Sequence, residues 1–574
     1  MRLLAVALFS ALVILPAEPD ALAISAAIQA RHLPFGTLLD PFYASPSSSE
    51  ITGYTRCGDS ALWTGHDLAA EAFRFRVTTS PDALVNATRA LQGLEGLVDV
   101  TGNDSLARCR LALSSPFTAG VEREEAANGI FRNPVLGYSW VGNLSRDQYL
   151  GVFFGLSVGY EQIPALRPRI RALATRLANF LVSSNWSTPV FTLRPDQLLA
   201  ILQIARQINP DRFTPLYESE RTRLADSVAL PVAFDSLSTS SYFKFNLIYI
   251  TFYSLIRLET SPTKATYERA YAIARRYTAG HQNPFFHLID RALSEPDPRR
   301  DAESLVLLDL WLKRPRRDFF VDRRSEVRVC GDQACNPIPV DLRTPTDFLW
   351  QRSPFQLFGG GSGLIGNAGV DYILPYWMAR YYGLIPSLGV QPTTAPEAIV
   401  SVYGPMPGSP RVEIQGRPAE LFYASSSQIN LLVPATTAPG PTTINVLSDG
   451  PILTAQTSVQ PVAPSVFTLN AAGLAAAIAT SGPAFACPSL CQPVPIGLPS
   501  ALSLYATGLR RGRQTSATIG GLPATVLYSG PQPRFLGLDQ VNLDIPAALR
   551  GRGPVEVLLT VDGIPANAVW ISVQ

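Results

Sequence analysis

The chain has 574 residues, 47% of them hydrophobic and 16% charged, with a net charge of +2. That length allows roughly three or four domains, and the apolar content excludes a disordered chain. The balanced charge excludes a nucleic-acid binder, which needs a basic field.

The first residues, MRLLAVALFSALVILPAEPDALA, set one Arg before an apolar run from Leu3 to Leu15, with Ala21-Leu22-Ala23 behind it. This pattern predicts a secretory signal over residues 1–23. The apolar run is too short to span a bilayer, which takes about 20 residues, and no later stretch is long and apolar enough to do so. The expected location is therefore secreted, cell-surface or periplasmic.

From residue 24 to 388 two kinds of helical segment alternate. One kind is apolar nearly all round: 58–75, 145–160, 195–208, 240–258, 281–293 and 371–384. The other is amphipathic, with Arg, Glu and Ala at helical spacing: 82–97, 165–182, 217–229, 264–278 and 301–314. Helices covered on both sides read as the first kind, and helices with one wet face as the second. Alternation of the two predicts helical hairpins in a closed ring, an all-α (α/α)6 toroid. The competing open solenoid lacks a fixed 34- or 40-residue repeat.

Near residue 388 the composition turns to Pro, Gly, Thr and Val in short alternating runs, and GVQPTTAPEA (389–398) reads as a linker. An internal repeat follows. Tyr403 answers Tyr505, Gly416 and Pro418 answer Gly521 and Pro523, and Tyr423 answers Tyr528. Gln428-Ile429-Asn430 answers Gln540-Val541-Asn542, and Pro434 answers Pro546. The alternation and Gly-rich turns predict two all-β sandwiches, over 399–463 and 464–574.

Six cysteines fit an oxidising compartment. They allow 15 pairings. The close pairs Cys330–Cys335 and Cys487–Cys491 are expected to form small stapled loops, leaving Cys57 with Cys109. Zinc is the competing reading, but neither spacing is C-x-x-C and no His stands beside either pair.

The architecture of 24–388 resembles the six-hairpin glycosidase-like fold. The β repeats resemble immunoglobulin-like IPT/TIG domains. On the QIN/QVN, VP/IP and AVWISVQ stretches, the whole C-terminal part is similar to the C-terminal domain of secreted Solibacter-type acidobacterial proteins. That likeness implies export and a binding or architectural module.

In such a ring the inner-helix heads converge on one end. SRDQYLGVFFGL (145–156) then poses a choice: its polar head caps a buried helix, or it lines a pocket mouth. Asp at a helix start is an ordinary cap, and His66 also reads as a core histidine. The chemical reading makes Asp59 and Asp147 a hydrolytic pair with His66 orienting substrate. Trp63, Arg146, Tyr149, Tyr242, Lys244, Asn246, His287, Trp350 and Arg352 would bind a glycan. Lysine occurs only at 244, 264 and 313. Lys244, between two phenylalanines, is expected to contact a carboxylate, Asp147 or Asp59. No metal set or cofactor motif is seen. GGGSG (359–363) lacks the phosphate-loop pattern. The alternative function is a non-catalytic extracellular adhesion or matrix-interaction protein, with a protein partner on the β repeats.

Overall fold

The computed structural model describes residues 18–574 apart from 79, 238–240, 386–387, 405, 426–427, 448–452, 470–472 and 487–490. Two compact units divide it, one running to Ile385 and one holding the chain beyond.

The first unit is built on helices α1 (Glu18–Arg31), α2 (Ser60–Thr78), α3 (Pro81–Asp99), α4 (Thr118–Glu124), α5 (Arg146–Gln162), α6 (Arg167–Ser183) and α7 (Pro195–Ile208). It continues with α8 (Pro210–Leu224), α9 (Ala229–Ser236), α10 (Phe243–Leu258), α11 (Lys264–Thr278), α12 (Pro284–Leu293), α13 (Pro298–Lys313) and α14 (Val370–Tyr381). The helices read as apolar all round pack on one another in sequence: α2 on α5, α5 on α7, α7 on α10, α10 on α12, α12 on α14, and α14 back on α2. Each also packs on a second helix: α3, α6, α8, α11, α13 and α1 respectively.

The sequence explains both roles. In α2 every residue from Ser60 to Arg74 is buried. In α3 the buried set Ala83, Ala87, Ala90, Leu91, Leu94, Leu97 and Val98 makes one stripe. The glycines that interrupt α2 and α5 permit close approach. A Cβ on Gly65 would sit 2.0 Å from the Gly151 carbonyl oxygen, and one on Gly155 2.3 Å from that of Gly65. Helices that touch through backbone at these points cannot accept larger side chains there.

The unit is not all-α, as the sequence pattern predicted. Strands Ile51–Tyr54, Pro41–Tyr43, Phe358–Gly366 and Arg317–Asp322 form one sheet, and Arg110–Ala112, Tyr138–Val141 and Ile130–Asn133 another. The strand 358–366 is the FGGGSGLIG run. Its glycines carry no apolar alternation to read. Gly360 has φ 114° and its missing Cβ would lie 2.2 Å from the Phe319 carbonyl oxygen, so the run serves strand packing.

α1 already includes Glu18, the first described residue, ahead of the expected boundary at residue 24. Ala21 and Ile28 are fully buried, and Glu18 pairs with Arg380 at 2.6 Å. The rest of the expected signal, residues 1–17, lies outside the described residues.

Disulfides Cys57–Cys109 and Cys330–Cys335 are formed as expected. Cys487 lies outside the described residues; Cys491 is disulfide-bonded. No described helix is long and apolar enough to cross a membrane.

The second unit is rich in β-sandwich. Its first core runs from Leu388 to Ala455 and its second from Val462 to Val573. In the first repeat, one sheet has the order 389–390, 399–403, 428–432, 420–424, and the other 393–394, 453–459, 440–447, 411–414, 417–418. The stretch 389–398 thus supplies a short strand to each sheet. In the second repeat, 501–507 pairs with 539–544, which pairs with 526–531, while 515–519 and 569–573 flank 553–561.

Candidate functional site

A cavity of about 560 Å³ opens at the heads of α2 and α5. Asp59, Trp63, Asp147, Asp347, Phe348 and Arg352 are among its lining residues. Asp59 stands just before α2 and two residues after the Cys57–Cys109 bridge, which fixes the approach to the helix. Arg108 ties the two helix heads together, donating to the Gly58 carbonyl and, from Nε, to the Asn143 carbonyl, both at 2.7 Å.

The choice posed by SRDQYLGVFFGL is answered residue by residue. Gln148 is the capping residue: its Oε1 accepts from the Ser145 backbone N–H at 2.8 Å. Its Nε2 reaches across, donating to the Gly58 carbonyl at 3.1 Å and to Asp59 Oδ1 at 3.2 Å. Gln148 was absent from the expected site residues, although its place as N3 after Ser145 signals the capping half of its role. Asp147 lines the cavity. Arg146 lies 3.9 Å from it, with its own side chain 39% exposed. Tyr149 points into the core, where its hydroxyl accepts from the Leu106 N–H at 3.3 Å.

The two carboxyls differ electrostatically. Burial pushes Asp147 up to about 6; Arg146 opposes this and the charge of Asp59 adds to it. Asp59 is also raised by burial, but Arg108 and Arg56 hold it down. Asp147 therefore keeps its proton in mildly acidic solution. Asp347, also on the cavity, pairs with Arg352 at 2.5 Å. The stretch 347–352, with Asp347, Trp350, Gln351 and Arg352 together, reads in sequence as suited to a sugar; that Asp347 meets Asp59 comes only from the fold, since the two lie far apart along the chain.

Several expected site residues lie elsewhere. His66 is fully buried, with Nδ1 3.0 Å from the Leu62 carbonyl and Nε2 3.2 Å from Asn246 Oδ1. Burial lowers it to about 4, so it is a neutral core histidine, and Asn246 is its core partner. Trp350 is fully buried, packed on Trp63, His66 and Phe285. His287 is buried against Ser304 Oγ at 3.3 Å and is lowered to about 3, mainly by burial. Lys244 is half-buried and has no ion pair among the described residues, so the expected contact with Asp147 or Asp59 is absent. As the second residue of α10 its stem lies near the helix end, where a long side chain reaches water.

Tyr242 belongs to a second cavity of about 860 Å³, where its hydroxyl meets His281 Nδ1 at 3.2 Å. This cavity shares Phe243, Gln351 and Arg352 with the first and ends on the Cys330–Cys335 hairpin. No group of three or more metal-ligating side chains occurs among the described residues.

No protein-family model matches the chain, and no curated protein matches it. Among solved structures, a titin tandem of Ig domains is 11% identical with a TM-score of 0.13, covering 33% of this chain and 96% of its own. The extracellular region of plexin A4, domains 1 to 8, is 12% identical with a TM-score of 0.15, covering 33% of this chain and 18% of its own. Likenesses of this size carry no argument about function.

Proposed function

We propose that the helical unit is an (α/α)6 toroid whose mouth hydrolyses glycosidic bonds in an exported protein. The circuit of six mutually packed helices, each backed by another, supports the ring. The disulfides support export. The observation that carries the chemistry is the pairing of Asp59 and Asp147, from the heads of neighbouring helices, on one cavity beside the rings of Trp63 and Phe348.

In this reading Asp147 gives its proton to the glycosidic oxygen as the bond to the anomeric carbon breaks. Asp59, with Arg108 and Arg56 opposing the effect of its burial and Gln148 positioning it, is the carboxylate that takes a proton from the water whose oxygen bonds to the anomeric carbon, which completes the hydrolysis. Trp63 and Phe348 offer apolar faces to a sugar ring, and the second cavity leaves room for further units of a chain. An unpolarised rim without a titratable pair would instead suit the adhesion reading.

The test is a screen of plant and bacterial polysaccharides for release of reducing ends, with Asp147→Asn beside the wild type. Loss of activity of roughly 100-fold or more in the variant is expected. Equal activity in both, or release of no product from any polysaccharide by the wild type, removes the proposal.

A further inference from the structure

The outward face of one sheet in each β repeat carries the same five side chains in the same register. In the first repeat Ser401 lies opposite Asn430 and Tyr403 opposite Gln428, while Tyr423 flanks Asn430 from the other side. In the second, Ser503 lies opposite Asn542 and Tyr505 opposite Gln540, and Tyr528 flanks Asn542. Both flanking strands reach this position through a bulge, between Leu421 and Tyr423 and between Val526 and Tyr528. A bulge re-aims the side chain that follows it.

Packing does not account for this identity. Of the four equivalent inward positions on these strands three differ between repeats, Val400 and Val402 against Leu502 and Leu504 and Ile429 against Val541, and only Leu431 and Leu543 agree. Outward positions at the far end differ too, Ile399 against Ala501 and Leu432 against Asp544. The match is thus concentrated on half-buried and exposed side chains. Tyr403, Tyr423 and Tyr528 are 52%, 50% and 41% exposed.

The amides are also set alike. Gln428 Nε2 donates to Asn430 Oδ1 at 2.7 Å, and Gln540 Nε2 to Asn542 Oδ1 at 2.8 Å. Each pair leaves one acceptor, the Gln Oε1, and one amide donor, the Asn Nδ2, without a side-chain partner among the described residues. An acceptor and a donor side by side, between tyrosine rings and with no charge in the set, suit a hydroxyl group beside a ring face.

We propose that these two strips are equivalent binding sites for a neutral polysaccharide, a ligand that itself repeats. Tyrosine supplies ring area and a polar edge together. Two equivalent sites on one chain add by effective concentration, so loss of either weakens binding strongly. The proposal stands apart from the hydrolytic reading of the helical unit.

The experiment is affinity electrophoresis of the full chain in gels holding galactomannan, xylan or hydroxyethylcellulose, with anionic alginate and gelatin as comparisons. Retardation by at least one neutral polysaccharide is expected. Tyr423→Ala or Tyr528→Ala should lower apparent affinity fivefold or more, and the two together should abolish retardation. Asn430→Asp with Asn542→Asp, near-isosteric and losing the amide donors, should act in the same direction. Val135→Ala, 94% exposed on the helical unit and outside both of its cavities, should leave retardation unchanged, which ties any loss to the strips. Retardation by no neutral polysaccharide, or full retardation of the strip variants, overturns it. Tyrosine-dependent retardation by gelatin alone also overturns it and puts a polypeptide on the strips.

Discussion

The two units place their polar side chains in opposite ways. In the helical unit the candidate chemistry is single and sunk: Asp59 and Asp147 share one cavity, and burial raises both. In the β unit the distinctive residues are duplicated and outward, on strands where most equivalent inward positions exchange one aliphatic for another. The heads of α2 and α5 meet on one cavity, and nothing in the sequence of the helical unit repeats them. A tandem of sandwiches repeats its faces, so a surface feature is obtained twice. Stability should follow the same division, with severe losses in the helical unit and small ones on the β strips.

The largest effect is expected at the chain start. A chain beginning at Ile24 lacks Glu18, leaving Arg380, whose side chain is 7% exposed, without its carboxylate. It also removes buried Ala21 from α1. Stranding a buried charge costs about 3–5 kcal/mol, so this chain should unfold at distinctly lower denaturant than one beginning at Glu18. Equal midpoints would show that α1 contributes nothing before residue 24.

Next comes Asp147, where stability and proposed activity oppose one another. Its folded value of about 6 lies above the ordinary carboxylate value of 3.8. The folded state therefore binds the proton more tightly than the unfolded chain. The resulting stability is full below about pH 4 and is lost as pH rises through 6. Asp147→Asn removes an ion that is costly in the fold, so it should stabilise the protein at pH 7 by up to about 3 kcal/mol. The gain should vanish near pH 4. Thermal unfolding of both proteins at pH 4 and 7 checks this; a variant less stable at pH 7 would contradict it.

A smaller loss is expected from Gly65→Ala. Its new Cβ would meet the Gly151 carbonyl oxygen at 2.0 Å, backbone against backbone. Overpacking of this kind costs about 1–3 kcal/mol. Tyr423→Ala, exposed on a β strip, should stay within about 0.5 kcal/mol of the wild type. Urea unfolding that ranks the two the other way round would break the division between the units.

How much was legible follows from the range of each signal. The segment 195–208 matches α7 end to end, and 264–278 matches α11, because apolar spacing is a local property. The β repeats were legible because the second copy supplies its own comparison. The sheets within the helical unit were not, since a glycine run such as 359–363 has no face pattern. Asp347 joins Asp59 only through the fold. His66 misled for a different reason: a polar residue in an apolar helix can be satisfied inside the core, and Asn246, far along the chain, does this here.

Lys244 gives the smallest expected effect. Its neighbours Phe243 and Phe245 suggested a buried ammonium, but the two rings have different fates. Phe243 is 43% exposed and Phe245 is 1% exposed. Lys244 between them, at the head of α10, is half-buried and joins no carboxylate among the described residues. An ammonium held only by its stem can be exchanged for a guanidinium without stranding any partner. Lys244→Arg should therefore leave the unfolding midpoint within about 0.5 kcal/mol of the wild type and leave the acid limb of Asp147 titration in place. A loss of several kcal/mol would mean that Lys244 has a buried partner after all, and that the helical unit's intolerance reaches the rim of its cavity.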